Sequence, residues 1–74
     1  MNILEKFIRS KSKTNYQFAK ITGKKHQTID AQIKIDKIGQ KNSSILQLIE
    51  YMNFFKVAEF QGTYNGQKIK ITIF

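Results

Sequence analysis

The sequence predicts an α+β fold: four short helices that contain a helix-turn-helix, followed by a C-terminal β-hairpin. Three observations predict it. Apolar residues recur at helical spacing through the first two thirds of the chain. Residues 14 to 34 place two such stretches on either side of Gly23, with room between them only for a tight turn. From Val57 onward the period changes to two, and Asn65-Gly66 breaks it. Asn-Gly is the strongest short hairpin signal, because a type I′ turn needs positive φ at both positions. The chain has 74 residues, enough for one small domain. Its helical part should span about 2–54 and its hairpin about 56–74.

Ile3, Leu4, Phe7 and Ile8 predict a first helix over about 2–10, with Glu5, Lys6 and Arg9 on its outer face. Ser10 to Lys13 is a polar break. Thr14 is a good N-cap for the second helix, and Gln17 three residues on completes a capping box. That helix carries Tyr16, Phe18, Ala19 and Ile21. It should stop at Gly23, which tolerates the left-handed conformation of a C-terminal cap. Ala19 is small where two helices must cross closely.

The third helix should begin near Lys25 or His26, with Ile29 and Ile33 as its buried anchors. His26, Gln27, Asp30, Ala31 and Lys34 then face outward. A basic loop with Lys37, Gly39 and Lys41 is expected over 35–43. Ser44 is the expected cap of a fourth helix, with Gln47 three residues on. Ile45, Leu46, Leu48, Ile49 and Met52 make that helix strongly apolar and central to the core. In the hairpin, a turn at 65–66 sets the register: Thr63 opposite Lys68, Gln61 opposite Lys70, Glu59 opposite Thr72. Ala58, Phe60, Ile69, Ile71 and Ile73 gather on the other face, which must cover the helices, a second subunit, or both.

Composition narrows the function classes. Thirteen Lys and Arg stand against five Asp and Glu, a net charge of +8, which favours a polyanionic partner. Twelve of the cations are Lys and one is Arg, which suits phosphate contacts more than bidentate reading of guanine. With no Cys, disulfides and thiolate metal sites are excluded. No apolar run approaches the roughly 20 residues that span a bilayer. Glu5, Lys6 and Arg9 interrupt any signal-peptide core. A cytoplasmic location is therefore expected. The single His and the scattered acids form no acid–base pair, and there is no Gly-rich phosphate loop. Neither an enzyme nor a cofactor nor a metal is expected.

The binding candidates lie on the second and third helices. The start of the third helix would point its free N–H groups and first side chains at DNA. His26 and Gln27 lead, and Gln can bond adenine N6 and N7 together. Thr28 can offer its methyl to thymine or its hydroxyl to phosphate. Ala31, one turn on, is small enough to lie against a thymine methyl, and Gln32 is a weaker candidate, further along. Asn15, Lys24, Lys25, Lys34, Lys37 and Lys41 suit phosphate contacts. Asp30 would repel phosphate unless it accepts from cytosine N4 or pairs with Lys34, four residues on.

The window from Thr14 to Ile29 resembles the Cro/XRE-type helix-turn-helix of phage repressors. Thr14, Ala19, Gly23, Thr28 and Ile29 match the family pattern Thr-Gln-x-x-Leu-Ala-x-x-x-Gly-Val-Ser-x-x-Thr-Ile. Asn15 replaces the Gln that often touches phosphate, and Phe18 replaces Leu. Lys24 stands where the family prefers an apolar plug for the turn, and Lys25 where it prefers a Ser cap. The resemblance covers roughly residues 2 to 53. The first half is also similar to the N-terminal domain of some phage anti-CRISPR proteins that double as repressors, through Tyr16, Phe18, Lys20, Thr22 and Gly23. Cro-like proteins can dimerise through terminal strands, and the resemblance extends that to Phe60, Ile69, Ile71 and Ile73.

The expected function is that of a sequence-specific regulator of transcription, a small phage-type repressor that binds double-stranded DNA as a homodimer. Two alternatives stay open. One is a winged, excisionase-like protein whose Lys68 and Lys70 grip DNA. The other is an interaction protein, such as an anti-CRISPR or another inhibitor, with a protein partner.

Overall fold

The computed structural model describes residues 1–39 and 41–73, and for Lys41 and Asn42 the backbone alone. Four helices precede a two-stranded antiparallel hairpin, the arrangement expected. The elements are α1 (Ile3–Lys11), α2 (Asn15–Thr22), α3 (His26–Ile38), α4 (Lys41–Phe55), β1 (Glu59–Tyr64) and β2 (Gln67–Thr72).

Helix α1 buries Ile3, Leu4, Phe7 and Ile8, the four residues its spacing selected. Phe7 is the hub of the core. Its ring meets Phe60 of β1 at 5.0 Å and Phe55 of α4 at 5.9 Å, both edge to face. Phe18 of α2 meets Tyr51 of α4 at 4.8 Å, nearly perpendicular. Each such pair adds about 0.5–1.5 kcal/mol beyond the area it buries.

Thr14 caps α2 by accepting the N–H of Gln17 at 3.1 Å. The return bond of the expected capping box is displaced by one residue: Gln17 Oε1 accepts from Lys13 N–H at 3.0 Å, not from Thr14. Gly23 ends α2 at φ 72°. The N–H groups of Lys24 and Gly23 bond back to Ala19 and Lys20, a Schellman closure. Nothing lies within 4 Å of a Cβ built on Gly23, so conformation and not space demands glycine there.

The basic loop expected over 35–43 is not a loop. Helix α3 continues to Ile38 and α4 starts at Lys41. The reason is a polar residue used as core. Ile29, Gln32, Ile33 and Asp36 form one buried stripe, at helical spacing. Asp36 Oδ2 accepts the N–H of Glu5 at 3.2 Å, capping α1 from another helix. Gly39, at φ 83°, ends α3. Ser44 is therefore not a cap. It lies inside α4, fully buried, and its hydroxyl has no hydrogen-bond partner among the described residues. Burial outweighs the Glu5 N–H bond and leaves the Asp36 carboxyl above its ordinary range.

Helix α4 buries Leu48, Tyr51 and Met52, but Leu46, expected inside, is 68% exposed. Tyr51, not anticipated as core, donates its hydroxyl to Gln32 Oε1 of α3. Burial pushes its phenol up to about 12. Helix α4 closes with Lys56 in the left-handed region at φ 57°, where a glycine is usual.

The hairpin has the expected register: Thr63 faces Lys68, Gln61 faces Lys70 and Glu59 faces Thr72. Asn65 and Gly66 turn at φ 50° and 84°, as a type I′ turn requires. Phe60, Ile69, Ile71 and Ile73 pack against the chain's own core. Of the coverings expected for this face, the helices are thus one, and all four side chains stay partly exposed. Ala58, expected on that covered face, is exposed. Gly62 lies against α1, where a Cβ would come within 3.0 Å of Ile3 Cγ1.

Candidate nucleic-acid interface

The site is built by the turn between α2 and α3. Gly23 reverses the chain, Lys25 occupies the N-cap of α3 without a side-chain cap bond, and His26 opens the helix. With Ile29, Gln32, Ile33 and Asp36 turned inward, the opposite side of α3 is fixed. It carries Gln27, Ala31, Lys34 and Ile38, spaced four, three and four residues apart, all exposed. His26, Thr28 and Lys37 flank this stripe and are exposed too. His26, Gln27, Thr28 and Ala31 are therefore accessible along one side, whereas Gln32 is buried and accepts from the Tyr51 hydroxyl.

The cations divide. Lys25, Lys34 and Lys37 are exposed, and none has an acidic partner among the described residues. Lys24 does not join them. Its ammonium pairs with Glu50 of α4 at 2.9 Å, and it lies 5.8 Å from the Tyr51 ring centroid. Lys24 is half-buried in the turn and its charge is paired with α4, which ties the turn to that helix. The side chain of Lys41 lies outside the described residues.

Asn15 is not free to hold a phosphate either. Its Oδ1 accepts from Arg9 Nη2 at 2.6 Å, and its Nδ2 donates to Asp30 Oδ1 at 2.7 Å. Asp30 Oδ2 lies 3.3 Å from His26 Nε2. The expected pairing of Asp30 with Lys34 is absent among the ion pairs of the described residues. An unbroken polar chain, Arg9–Asn15–Asp30–His26, thus links α1, α2 and α3. It gives the one acid on the exposed side of α3 two partners, Asn15 Nδ2 and His26 Nε2, and turns the ring of His26 towards Asp30.

Tyr16 also lies beside this site, outside the base and phosphate contacts that the sequence suggests. Its side chain is large, yet the residue is 54% exposed. Its ring meets that of His26 edge to face at 6.0 Å, and Lys20 Nζ lies 4.9 Å from its centroid. The signal was available: Tyr16 and Lys20 are four apart on α2, on the side away from Phe18 and Ala19.

The hairpin is held away from the start of α3. Asn65 donates its N–H to Asn2 Oδ1 at 3.1 Å, and Asn2 Nδ2 donates to the carbonyl of Asp36 at 2.6 Å. The Asn65 side chain fills the space beside Gly39, where a Cβ would come within 2.6 Å of it. The tip therefore docks at the C-terminal end of α3, about 18 Å of helical rise from His26.

No helix of the described residues is long and apolar enough to cross a membrane, and none of their His, Asp and Glu side chains cluster in threes that could hold a metal ion. Comparison with protein families, with curated proteins and with solved structures finds no match to this chain.

Proposed function

We propose that the protein binds double-stranded DNA through the exposed side of α3 and regulates transcription by occupying an operator. One observation carries this reading. The helix that follows the Gly23 turn sets Gln27, Ala31 and Lys34 outward in one line, with Lys25 and Lys37, unpaired among the described residues, near its two ends. Such a stripe matches what a major groove takes: an amide for adenine, a small apolar side chain for a thymine methyl, and cations for the bordering phosphates. Lys25, His26, Gln27 and Thr28 would lead into the groove. Ordinary electrostatics supplies the rest, since a net +8 on so small a body attracts DNA before any base is read.

A cytoplasmic homodimer acting as a repressor is the fuller form of the proposal. One α3 reads only a half-site, and a second copy about 34–36 Å away would read the other half of a palindrome. The hairpin face, whose Phe60, Ile69, Ile71 and Ile73 pack on the core yet stay partly exposed, is one surface for that second copy. Leu46 and Phe54, exposed on α4 at 68% and 54%, are further large apolar side chains that a second copy would cover.

The test is selection of bound sequences from a random duplex pool, followed by titration of the selected site and a scrambled one. Gln27→Ala should cost about 1–3 kcal/mol on the selected site and little on the scrambled one. Failure to enrich any sequence, or equal losses on both duplexes, overturns base reading by α3.

A further inference from the structure

We infer that the free edge of β2 is a docking site for an extended, acidic segment of a partner protein. The phase of the hairpin identifies the edge. A two-residue type I′ turn makes Tyr64 and Gln67 a hydrogen-bonded pair, so Gly62 with Ile69 and Phe60 with Ile71 are bonded pairs as well. Ile73 N–H bonds to the Ala58 carbonyl at 2.8 Å, in the same phase. Lys68, Lys70 and Thr72 must therefore aim their backbone N–H and C=O groups away from β1. On β1 the corresponding residues are Glu59, Gln61 and Thr63. There the phase is visible directly: Lys6 Nζ of α1 donates to the outward carbonyl of Gln61 at 2.8 Å.

The two edges differ. That of β1 lies along α1, touched by Lys6 and by the Thr63 hydroxyl, which donates to the Met1 carbonyl. No hydrogen bond among the described residues reaches the outward groups of β2. Lys68, Lys70 and Thr72 have exposed side chains beside those groups. An unpaired row of donors and acceptors is a template for another strand.

Charge selects the occupant. If a second copy paired antiparallel along this edge with full overlap, Lys70 would face Lys70, or Lys68 would face Lys70. Like charges directly opposite destabilise a ladder. Lys70 Nζ lies 3.4 Å from Glu59 of β1 in an exposed pair that solvent screens. Lys68 has no acidic partner among the described residues. Both lysines therefore favour a strand with Glu or Asp at alternate positions, and a chain of net +8 strengthens that choice. Ile69 and Ile71, half-buried on the other face, continue an apolar surface for the residues between. The inference rests on the hairpin edge alone, so it stands or falls independently of DNA binding by α3.

The experiment uses the whole chain and a capped synthetic peptide of alternating Glu and Val, with a Lys/Val peptide as control. Amide hydrogen exchange is followed residue by residue. The Glu/Val peptide should slow exchange at Lys68, Lys70 and Thr72 by about tenfold or more, while Gln67, Ile69 and Ile71, bonded within the hairpin, change little. Reversing both charges in a Lys68→Glu, Lys70→Glu variant should weaken the Glu/Val peptide about tenfold or more and transfer preference to the Lys/Val peptide. That exchange of preference needs a folded variant, so a folding defect cannot imitate it. Lys70→Pro removes an outward N–H without taking a ladder bond, and should abolish protection while the hairpin persists. Three results overturn the inference: no protection by the Glu/Val peptide at millimolar concentration, protection of these amides by self-association alone, or protection by duplex DNA instead of the peptide.

Discussion

Asn15 Nδ2 donates to Asp30 Oδ1 across 2.7 Å, tying the first residue of α2 to the exposed side of α3. On composition alone Asp30 is a misplaced negative charge that every phosphate would repel. In the fold it is the centre of a chain that reaches Arg9 on one side and His26 on the other. Asp30→Ala should therefore act in two opposite ways. Removing a negative charge should raise affinity for any duplex. Releasing His26 and Asn15 should lower the ratio of specific to non-specific binding, with a stability loss of about 1 kcal/mol for a half-exposed hydrogen-bonded carboxylate. Thermal melting and titrations on selected and scrambled duplexes measure both. An equal rise on the two duplexes would leave Asp30 no positioning role.

The lysines around the turn should separate by salt dependence. Lys34 and Lys37 are exposed and unpaired among the described residues, whereas Lys24 is committed to Glu50. Lys34→Ala or Lys37→Ala should each make the slope of log affinity against log salt shallower by roughly 0.9. Lys24→Ala should leave that slope nearly unchanged and instead loosen the turn against α4. Equal slope changes for all three would return Lys24 to the phosphate contacts.

What the sequence made legible was whatever depended on short-range chemistry. Asn65-Gly66 determined the hairpin and its full register, because turn type and pleat leave no other choice. Thr14 and Gly23 bounded α2 for the same reason. The misses share a different cause. Asp36 and Gln32 look like surface residues by type, and Gln32 like a DNA contact, so the local pattern ends the buried stripe of α3 at Ile33 and reads 35–43 as a loop. Only their partners in space, Glu5 N–H and the Tyr51 hydroxyl, make them core. The site divides along the same line. The outward side of α3 follows from Ile29 and Ile33, but the occupation of Asn15 by Arg9 and of Lys24 by Glu50 is long-range information that no local pattern carries.

Gly62 should be the residue at which the hairpin is most easily lifted from the helices. A Cβ there meets Ile3 Cγ1 at 3.0 Å and Lys6 Cδ at 3.3 Å. Lys6 is flexible and can yield, but Ile3 is fully buried and cannot. Gly62→Ala should cost roughly 1–3 kcal/mol, the usual range for overpacking. Denaturant melts should show the loss, with Phe60 and Ile69 exchanging faster. An unchanged midpoint would mean that β1 can ride up without losing its packing on α1.

Lys56 should respond in the other direction. It holds φ 57° at the end of α4, where its N–H bonds to the Asn53 carbonyl and that of Val57 to the Met52 carbonyl. A non-glycine residue in this region carries about 1–2 kcal/mol of strain, and glycine relieves it at some cost in chain entropy. Lys56→Gly should stabilise the fold by about 0.5–1 kcal/mol, seen as a higher melting temperature at constant salt.

Asp36 should give the protein a pH dependence of unusual sign. Burial raises its carboxyl above the ordinary 3.8, against the pull of the Glu5 N–H, while the Glu5 charge raises it further. The folded chain then keeps this proton at pH values where the unfolded chain has lost it. Between 3.8 and the raised value, the folded state binds more protons, so the contribution of Asp36 to stability falls as pH rises. Below 3.8 both states are protonated and the contribution is constant. Asp36→Asn keeps an acceptor for Glu5 N–H and sheds the buried charge. It should match or exceed the parent in stability at neutral pH, with the gap closing as pH is lowered through this window. Asp36→Ala leaves the Glu5 N–H without its partner and should cost roughly 1–3 kcal/mol. Chemical denaturation of the three proteins at several pH values decides the matter. If Asp36→Asn loses as much as Asp36→Ala at neutral pH, the negative charge on the first turn of α1 stabilises the fold by more than its burial costs.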